Sequence, residues 1–525
     1  MKTIFFCSLL LATFISSCMN DSVRTPSSMA ELKPYDYGAL VIIQGATSES
    51  ETTFNVLVPR LKAKTFGAYV YDKKHGIIKN FADIDSLPHT QCKLIGHFTD
   101  QKKIAHYVVN KYKCNGLNAK TDYHLSIANP GVLDEATGKR KYSEVADTRT
   151  FKMLKNSGNS LKFAMGSCMT DSFAYKHIRD HIWNSLVSKK PEVIFLTGDL
   201  VYVDGFDTVA REDSKTGKAS ASDFDIWQRF IDTTQAIPLY RQKNLIPIIA
   251  TWDDHDMVTN NSSENTKRKD SAHNAFRAFF GSEAIEGVFE PSAVGMYSKY
   301  SIRNQVFYMM DGRYFREEVH IGNDGLIKNE DKSSKEEIKL SEGNVRVKKY
   351  RKLSKFAHWG RAQHQWLVKN LKDNAKPSWV INGDQIFAPA ILSKRETYTK
   401  RINESIMADH KKHFQKIIKD LSKIDSPIAF GSGDIHFSEI LKIEKEQLGY
   451  ETYEFTSSPV HSYMFREGGE LWENKRRIAG AAYHNFMMIQ SKAISSKELH
   501  VNAMSYDALG NVIPEIKSGD LVIKK

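Results

Sequence analysis

Cysteine is scarce, with five residues in a chain of 525, far too few for a disulfide-built scaffold. Long apolar runs are missing as well. Beyond the N-terminal stretch none reaches the roughly 18 residues that a membrane-spanning helix needs. No internal repeat is visible. What is present argues for a folded, multidomain protein. Hydrophobic residues make up 41% and aromatics 11%, which excludes a disordered or collagen-like chain, and the length exceeds one ordinary core and implies two or three domains. Lysine and arginine number 74 against 62 acidic residues, a balance of +12. That excess favours anionic partners without choosing among nucleic acid, phosphate esters and a membrane surface.

The first residues read as an address. Lys2 precedes the apolar run from Ile4 to Ile15, too short to span a bilayer but long enough for a signal-peptide core. The run closes on Ile15-Ser16-Ser17-Cys18, which resembles a bacterial lipobox. On that reading residues 1–18 are a lipoprotein signal, Cys18 carries the lipid, and 19–34 form a polar tether. An ordinary secretory signal that happens to contain a cysteine is the other reading. Several acyl chains on one cysteine anchor a protein stably, so the expected location is the cell envelope, on the periplasmic or cell-surface face of a bacterial membrane. With Cys7 removed and Cys18 lipidated, export favours a disulfide between Cys92 and Cys114, worth roughly 3 kcal/mol in the chain-entropy model. Cys168 is left unpaired.

From 35 to 155 short strand-like runs alternate with turns. Ala39–Gln44, Thr53–Val58, Ala68–Tyr71, Lys93–Phe98 and Ala105–Val109 have strand composition. The segment Gly116–Leu125 looks like the turn and penultimate strand of a fibronectin-III-like sandwich, with Tyr123 at the corner position and Asp147–Met153 as the closing strand. The expectation is an N-terminal all-β fibronectin-III-like sandwich, with no catalytic constellation in it. Lys155–Ser160 has loop composition. From 160 to 525 apolar runs alternate with helical stretches, the signature of an α/β layered domain. The helix candidates are Phe173–Ser188, Asp223–Thr234, Ala272–Phe280, Arg361–Lys372 and His410–Ser422. The charged segment 322–355 reads as a solvated insertion.

Chemistry collects at strand ends. Phe163–Met165 leads into Gly166-Ser167-Cys168. Val193–Leu196 leads into Thr197-Gly198-Asp199-Leu200-Val201-Tyr202, and Ile246–Ala250 into Thr251-Trp252-Asp253-Asp254-His255-Asp256. Trp379–Ile381 leads into Asn382-Gly383-Asp384-Gln385, and Ile428–Phe430 into Gly431-Ser432-Gly433-Asp434-Ile435-His436. In open α/β sheets ligands bind at the carboxyl ends of strands, so five such ends converge on one rim. Carboxylates gathered there would repel one another, and metal ions would resolve the repulsion.

In this order, these motifs resemble the PhoD-like alkaline phosphatases, a metallophosphoesterase family akin to the purple acid phosphatases. Asp311-Gly312-Arg313, Trp359-Gly360 with Gln363 and Trp366-Leu367, and Thr456-Ser457-Ser458-Pro459 extend the resemblance. It departs at Gly312, where members tend to have threonine, and at Asp384, where asparagine is common. The resemblance implies a metallophosphoesterase-type catalytic domain and a hydrolase for phosphate monoesters, diesters or both. Asp199 takes the bridging position, and Tyr202, Cys168 and His436 complete a first sphere suited to Fe(III) or Zn. Asp254, Asp384 and Asp434 fall at a second, all-oxygen site suited to Ca, Mg or Mn. A hydroxide generated there would attack phosphorus in line, with His255 as general acid and Arg313 neutralising the phosphate. Asp253 and Asp256 are assigned to orienting His255 or to strand-end hydrogen bonds. His461 is a weaker candidate for the rim. Expected partners are a phosphate ester substrate and, through Cys18, a membrane, with no nucleic-acid-specific binding. The competing reading is a catalytically inactive lipoprotein that binds anionic polymer or lipid head groups.

Overall fold

Alternation with period two builds the first part of the chain into sheets. In the computed structural model, residues 37–205, 222–339, 345–394, 397–401, 404–466 and 473–525 are described. Cys18, the signal and the tether lie outside them. Two four-stranded antiparallel sheets come first. One holds Val41–Thr47, Thr52–Pro59, Tyr107–Cys114 and Lys93–Phe98 in that order, and the other holds Glu144–Lys152, Asp122–Asn129, Gly67–Asp72 and His89–Gln91. Their facing side chains, among them Phe54, Val56, Val108, Tyr112, Leu125 and Phe151, form one buried cluster. Cys92 and Cys114 are joined in a disulfide within it.

The rest of the chain stacks two sheets face to face. The six-stranded sheet runs Ile248–Thr251, Val193–Thr197, Ser160–Gly166, Phe486–Ser495, Glu498–Tyr506, Val512–Lys524. Its first three strands are parallel. The helices Lys176–Ser188 and Asp223–Ala236 make the crossovers between them, the connection that parallel strands require. The eight-stranded sheet carries a parallel set of four, Gln305–Met309, Ser378–Ile381, Ile428–Ser432 and Thr452–Thr456. Alternate side chains divide between two cores. Phe163, Met165 and Phe195 face Phe307 and Trp379 of the other sheet, whereas Ala164, Ile194 and Leu196 pack with Ile178, Ile182, Trp183 and Phe230 of the helices. The ring of Phe195 stacks on Phe307 at 4.7 Å.

Helix boundaries follow local chemistry. Asp223–Ala236 begins at a capping box, in which the Ser222 hydroxyl accepts from the Asp225 amide and the Asp225 carboxylate accepts from the Ser222 amide. Lys411–Leu421 buries Phe414, Ile417 and Leu421 at helical spacing. The charged insertion contains an antiparallel ribbon, Ser334–Lys339 with Val345–Tyr350. The sandwich is tied to the layered part by specific bonds. Asn55 Nδ2 donates to the carbonyls of Phe279 (2.8 Å) and Gly281 (3.0 Å). The buried Lys111 ammonium donates to those of Arg277 (3.1 Å) and Gly281 (2.9 Å), closing the C-terminal end of Lys269–Phe280.

Candidate metal centre

Each parallel strand hands its chain to a sharp turn at the same rim, and several turns need left-handed backbone. Gly198 has φ +93°, and a Cβ there would lie 2.4 Å from Asp253 Cβ. The neighbouring Asp199 (φ +54°), Cys168 (+59°), Asp434 (+69°) and His436 (+56°) are left-handed without being glycine, a conformation that costs of order 1 kcal/mol or more and persists where surrounding structure enforces it. The turns bond to one another. Met169 N donates to Asp199 O at 2.8 Å, and Gly433 N donates to Gly383 O at 2.7 Å.

These turns bring three overlapping donor groups together, each with ligand atoms within 4.8 Å of one another: Cys168, Asp199 and His436; Asp199, Asp254 and His255; and Asp253, Asp254 and Asp434. Asp199 belongs to the first two. Its Oδ2 lies 3.6 Å from Cys168 Sγ and accepts from Tyr202 Oη at 3.4 Å. His436 Nδ1 faces the Tyr463 carbonyl at 2.6 Å, which directs its proton there and leaves Nε2 as the ligating nitrogen. Burial and the nearby His255 hold the His436 pKa down at about 4, so the ring is the neutral imidazole a metal requires.

The electrostatics suit a cation. Burial, reinforced by Asp254, Asp253 and Asp256 and opposed by His255, pushes the Asp199 carboxyl well above its usual range. Burial pushes Asp434 up too, with Asp253, Glu404 and Asp254 adding repulsion. The Cys168 thiol is raised by burial, Asp199 and Asp434. Asp254, although buried, is held at about 2 by Arg313 and His255. Carboxyl, thiol, phenol and imidazole donors crowded in this way fit one or more cations, whose charge would reverse each of the upward shifts.

Several roles differ from those read in the sequence. Asp384 falls outside the three donor groups; its carboxylate lies 3.1 Å from His358 Nε2 and 3.5 Å from Arg316 Nη1. Asp253 stands beside Asp254 and Asp434 and pairs with Arg313 Nε instead of orienting His255. Asp256 does make strand-end bonds: its Oδ1 accepts from Leu200 N (2.9 Å) and Val201 N (2.7 Å). The carboxylate that orients His255 is Asp204, 2.9 Å from Nδ1. Arg313 is fully buried, and its Nη1 donates to Glu404 at 2.8 Å. His461 is committed to the core: Trp183 Nε1 donates to its Nε2 at 3.0 Å while its Nδ1 meets the Thr170 carbonyl at 3.0 Å. Asp204, His358 and Glu404 were missed by sequence reasoning. Only Asp204, two residues past Tyr202, left a local signal, because a histidine in an acidic rim needs a carboxylate to orient it.

Two face-packed sheets with a donor-rich rim define a layered α/β fold with a candidate metal site. The model of the family "PhoD-like phosphatase" matches residues 163–522, and the chain belongs to that family. No curated protein matches it in sequence. Among solved structures it is similar to one described as the structure of PhoD, at 14% identity and a TM-score of 0.55, covering 90% of this chain and 91% of that one. It is also similar to the purple acid phosphatase PPD1 isolated from yellow lupin (Lupinus luteus) seeds, at 9% identity and a TM-score of 0.53, covering 93% of this chain and 74% of that one. At these identities the two structures speak to fold. Membership of the family implies metal cofactors and a phosphoester hydrolase.

Proposed function

We propose that the chain is a metal-dependent phosphoric ester hydrolase held at the cell envelope by lipid on Cys18. The observation that carries the hydrolase is Asp199, which stands in one donor group with Cys168 and His436 and in another with Asp254, where a carboxylate could bridge two ions. Cys168, Asp199, Tyr202 and His436 would hold the first ion, for which Fe(III) is proposed and Zn is the alternative. Asp199, Asp254 and Asp434, with Asp384 as a further proposed ligand, would hold Ca, Mg or Mn. Bound cations would polarise the phosphoryl oxygens and lower the pKa of a water toward neutrality. The chain's own residues do the rest. Asp204 fixes the His255 ring so that Nε2 can deliver a proton to the departing alcohol. Arg313 supports the negative phosphate from beside Asp253 and Asp254. In the N-terminal module, Asn118 N donates to Tyr123 Oη at 2.8 Å, the kind of contact a corner tyrosine makes, and this supports the fibronectin-III-like reading.

The test is hydrolysis of a chromogenic monoester and diester before and after chelation, with metal analysis and a visible spectrum. Expected are chelator-sensitive turnover and, with Fe(III), a phenolate charge-transfer band that Tyr202→Phe removes. Turnover that survives complete demetallation would overturn the reading. An inert, metal-loaded protein that still retains anionic polymer would favour the binding lipoprotein. Mass spectrometry of the native N-terminus tests the anchor, which fails if Cys18 is unmodified.

A further inference from the structure

The two places where the chain departs from the pattern it resembles touch each other through a third residue. A Cβ on Gly312 would stand 3.0 Å from Asp384 Oδ1 and 3.3 Å from His358 Nε2, tighter than side chains normally accept, so glycine here leaves space that those two groups use. His358 Nε2 is buried without an aligned hydrogen bond and lies 3.1 Å from the Asp384 carboxylate. His358 itself is held from behind. Asp420 can only accept, so His364 gives it the Nε2 proton (2.9 Å) and accepts at Nδ1 from His413 Nε2 (3.1 Å). His413 Nδ1 is then an acceptor, and it takes the backbone N–H of His358 at 3.0 Å. His410 Nδ1 packs 3.4 Å from the far nitrogen of the His358 ring. All four histidines are at most 2% exposed. His364 and His413 therefore hold the main chain of His358 from behind, and the His358 ring ends on Asp384.

We propose that His358 is a positioning residue for Asp384, with Gly312 opening the space in which the pair sits. This rests on the reading of Asp384 as a ligand of the second ion. Partners that orient a ligating carboxylate typically contribute 10–100-fold to metal affinity. The experiment loads the full chain with Mn²⁺ and counts ions per chain by plasma mass spectrometry, with calorimetry for affinity and thermal melting for folding. Asp384→Ala should lose the second ion. His358→Ala should weaken that ion by about 10–100-fold and leave the ion at Cys168 in place. His358→Gln, which keeps an N–H near the Nε2 position, should recover most of the loss, and Gly312→Ala should weaken the same ion by crowding the pair. The idea fails if His358→Ala binds the second ion as wild type does, or if both ions weaken together in step with a lowered melting temperature. If Asp384→Ala keeps both ions, the ligand reading fails first and takes the proposal with it.

Discussion

Two buried arginine–aspartate pairs show how differently two regions of the molecule treat charge. At the seam behind the sandwich, Arg149 donates Nε and Nη2 to both oxygens of Asp147 (3.0 and 2.8 Å) and Nη1 to the Gln242 carbonyl at 2.7 Å. Asp147 also accepts from Leu40 N at 2.7 Å. At the rim, Arg313 pairs with Asp253 and Glu404, yet its Nη2 and Asp253 Oδ2 are buried without partners. A pair with its valences filled acts as a structural fastener. A pair with open valences keeps a destabilising reserve, which a phosphate and a cation would discharge.

That contrast can be broken by substitution. Asp199→Asn should cut turnover on the order of a thousandfold while leaving the chelated protein no less stable than wild type, because a buried, repelled carboxyl disappears. A large loss of melting temperature in chelator would place Asp199 among the fasteners instead. Arg149→Met should do the opposite, costing about 3–5 kcal/mol of stability by stranding Asp147, with kcat of the folded fraction unchanged. Denaturant titration and kinetics on the same sample separate the two. Next in size is Cys92→Ser with Cys114→Ser, which should cost about 3 kcal/mol and leave metal content intact, since the bridge lies wholly within the sandwich.

The smallest effect belongs to Lys111. Burial pushes its pKa down to about 8 from 10.5, against the attraction of Glu283. Between those values the unfolded chain still holds the proton that the folded chain has released, so stability should rise with pH from about 8 to 10.5, by at most about 3 kcal/mol. Lys111→Met should flatten that rise. Parallel urea midpoints at the two ends of the window that show equal slopes and no shift would refute it.

Much of this was legible because it is local. Apolar strands that end in Gly-Asp or Ser-Cys announce the rim by themselves, and helices such as Asp223–Ala236 carry their caps in sequence. Elsewhere tertiary context overrode the pattern. The strand expected over Ala105–Val109 occupies Tyr107–Cys114, since Lys111 and Lys113 look like loop residues until Lys111 is seen closing a helix end. The strands Phe486–Ser495, Glu498–Tyr506 and Val512–Lys524 escape a sequence reading, because they carry no chemical motif. His358 and Glu404 gain meaning only through partners such as Asp384 and Arg313, 26 and 91 positions away along the chain. No spacing rule reaches that far.

The first donor group straddles the two sheets: Cys168 and Asp199 follow strands of the six-stranded sheet, and His436 follows one of the eight-stranded sheet. An ion seated there would rivet the layers at one end while the aromatic interior glues them along their faces. Ligand binding to the folded state alone adds RT ln(1 + [L]/Kd), about 4 kcal/mol at a thousandfold excess over Kd. The supply of metal would thereby set part of the stability of the fold, and a chelator would loosen the layers in the same step that removes the chemistry.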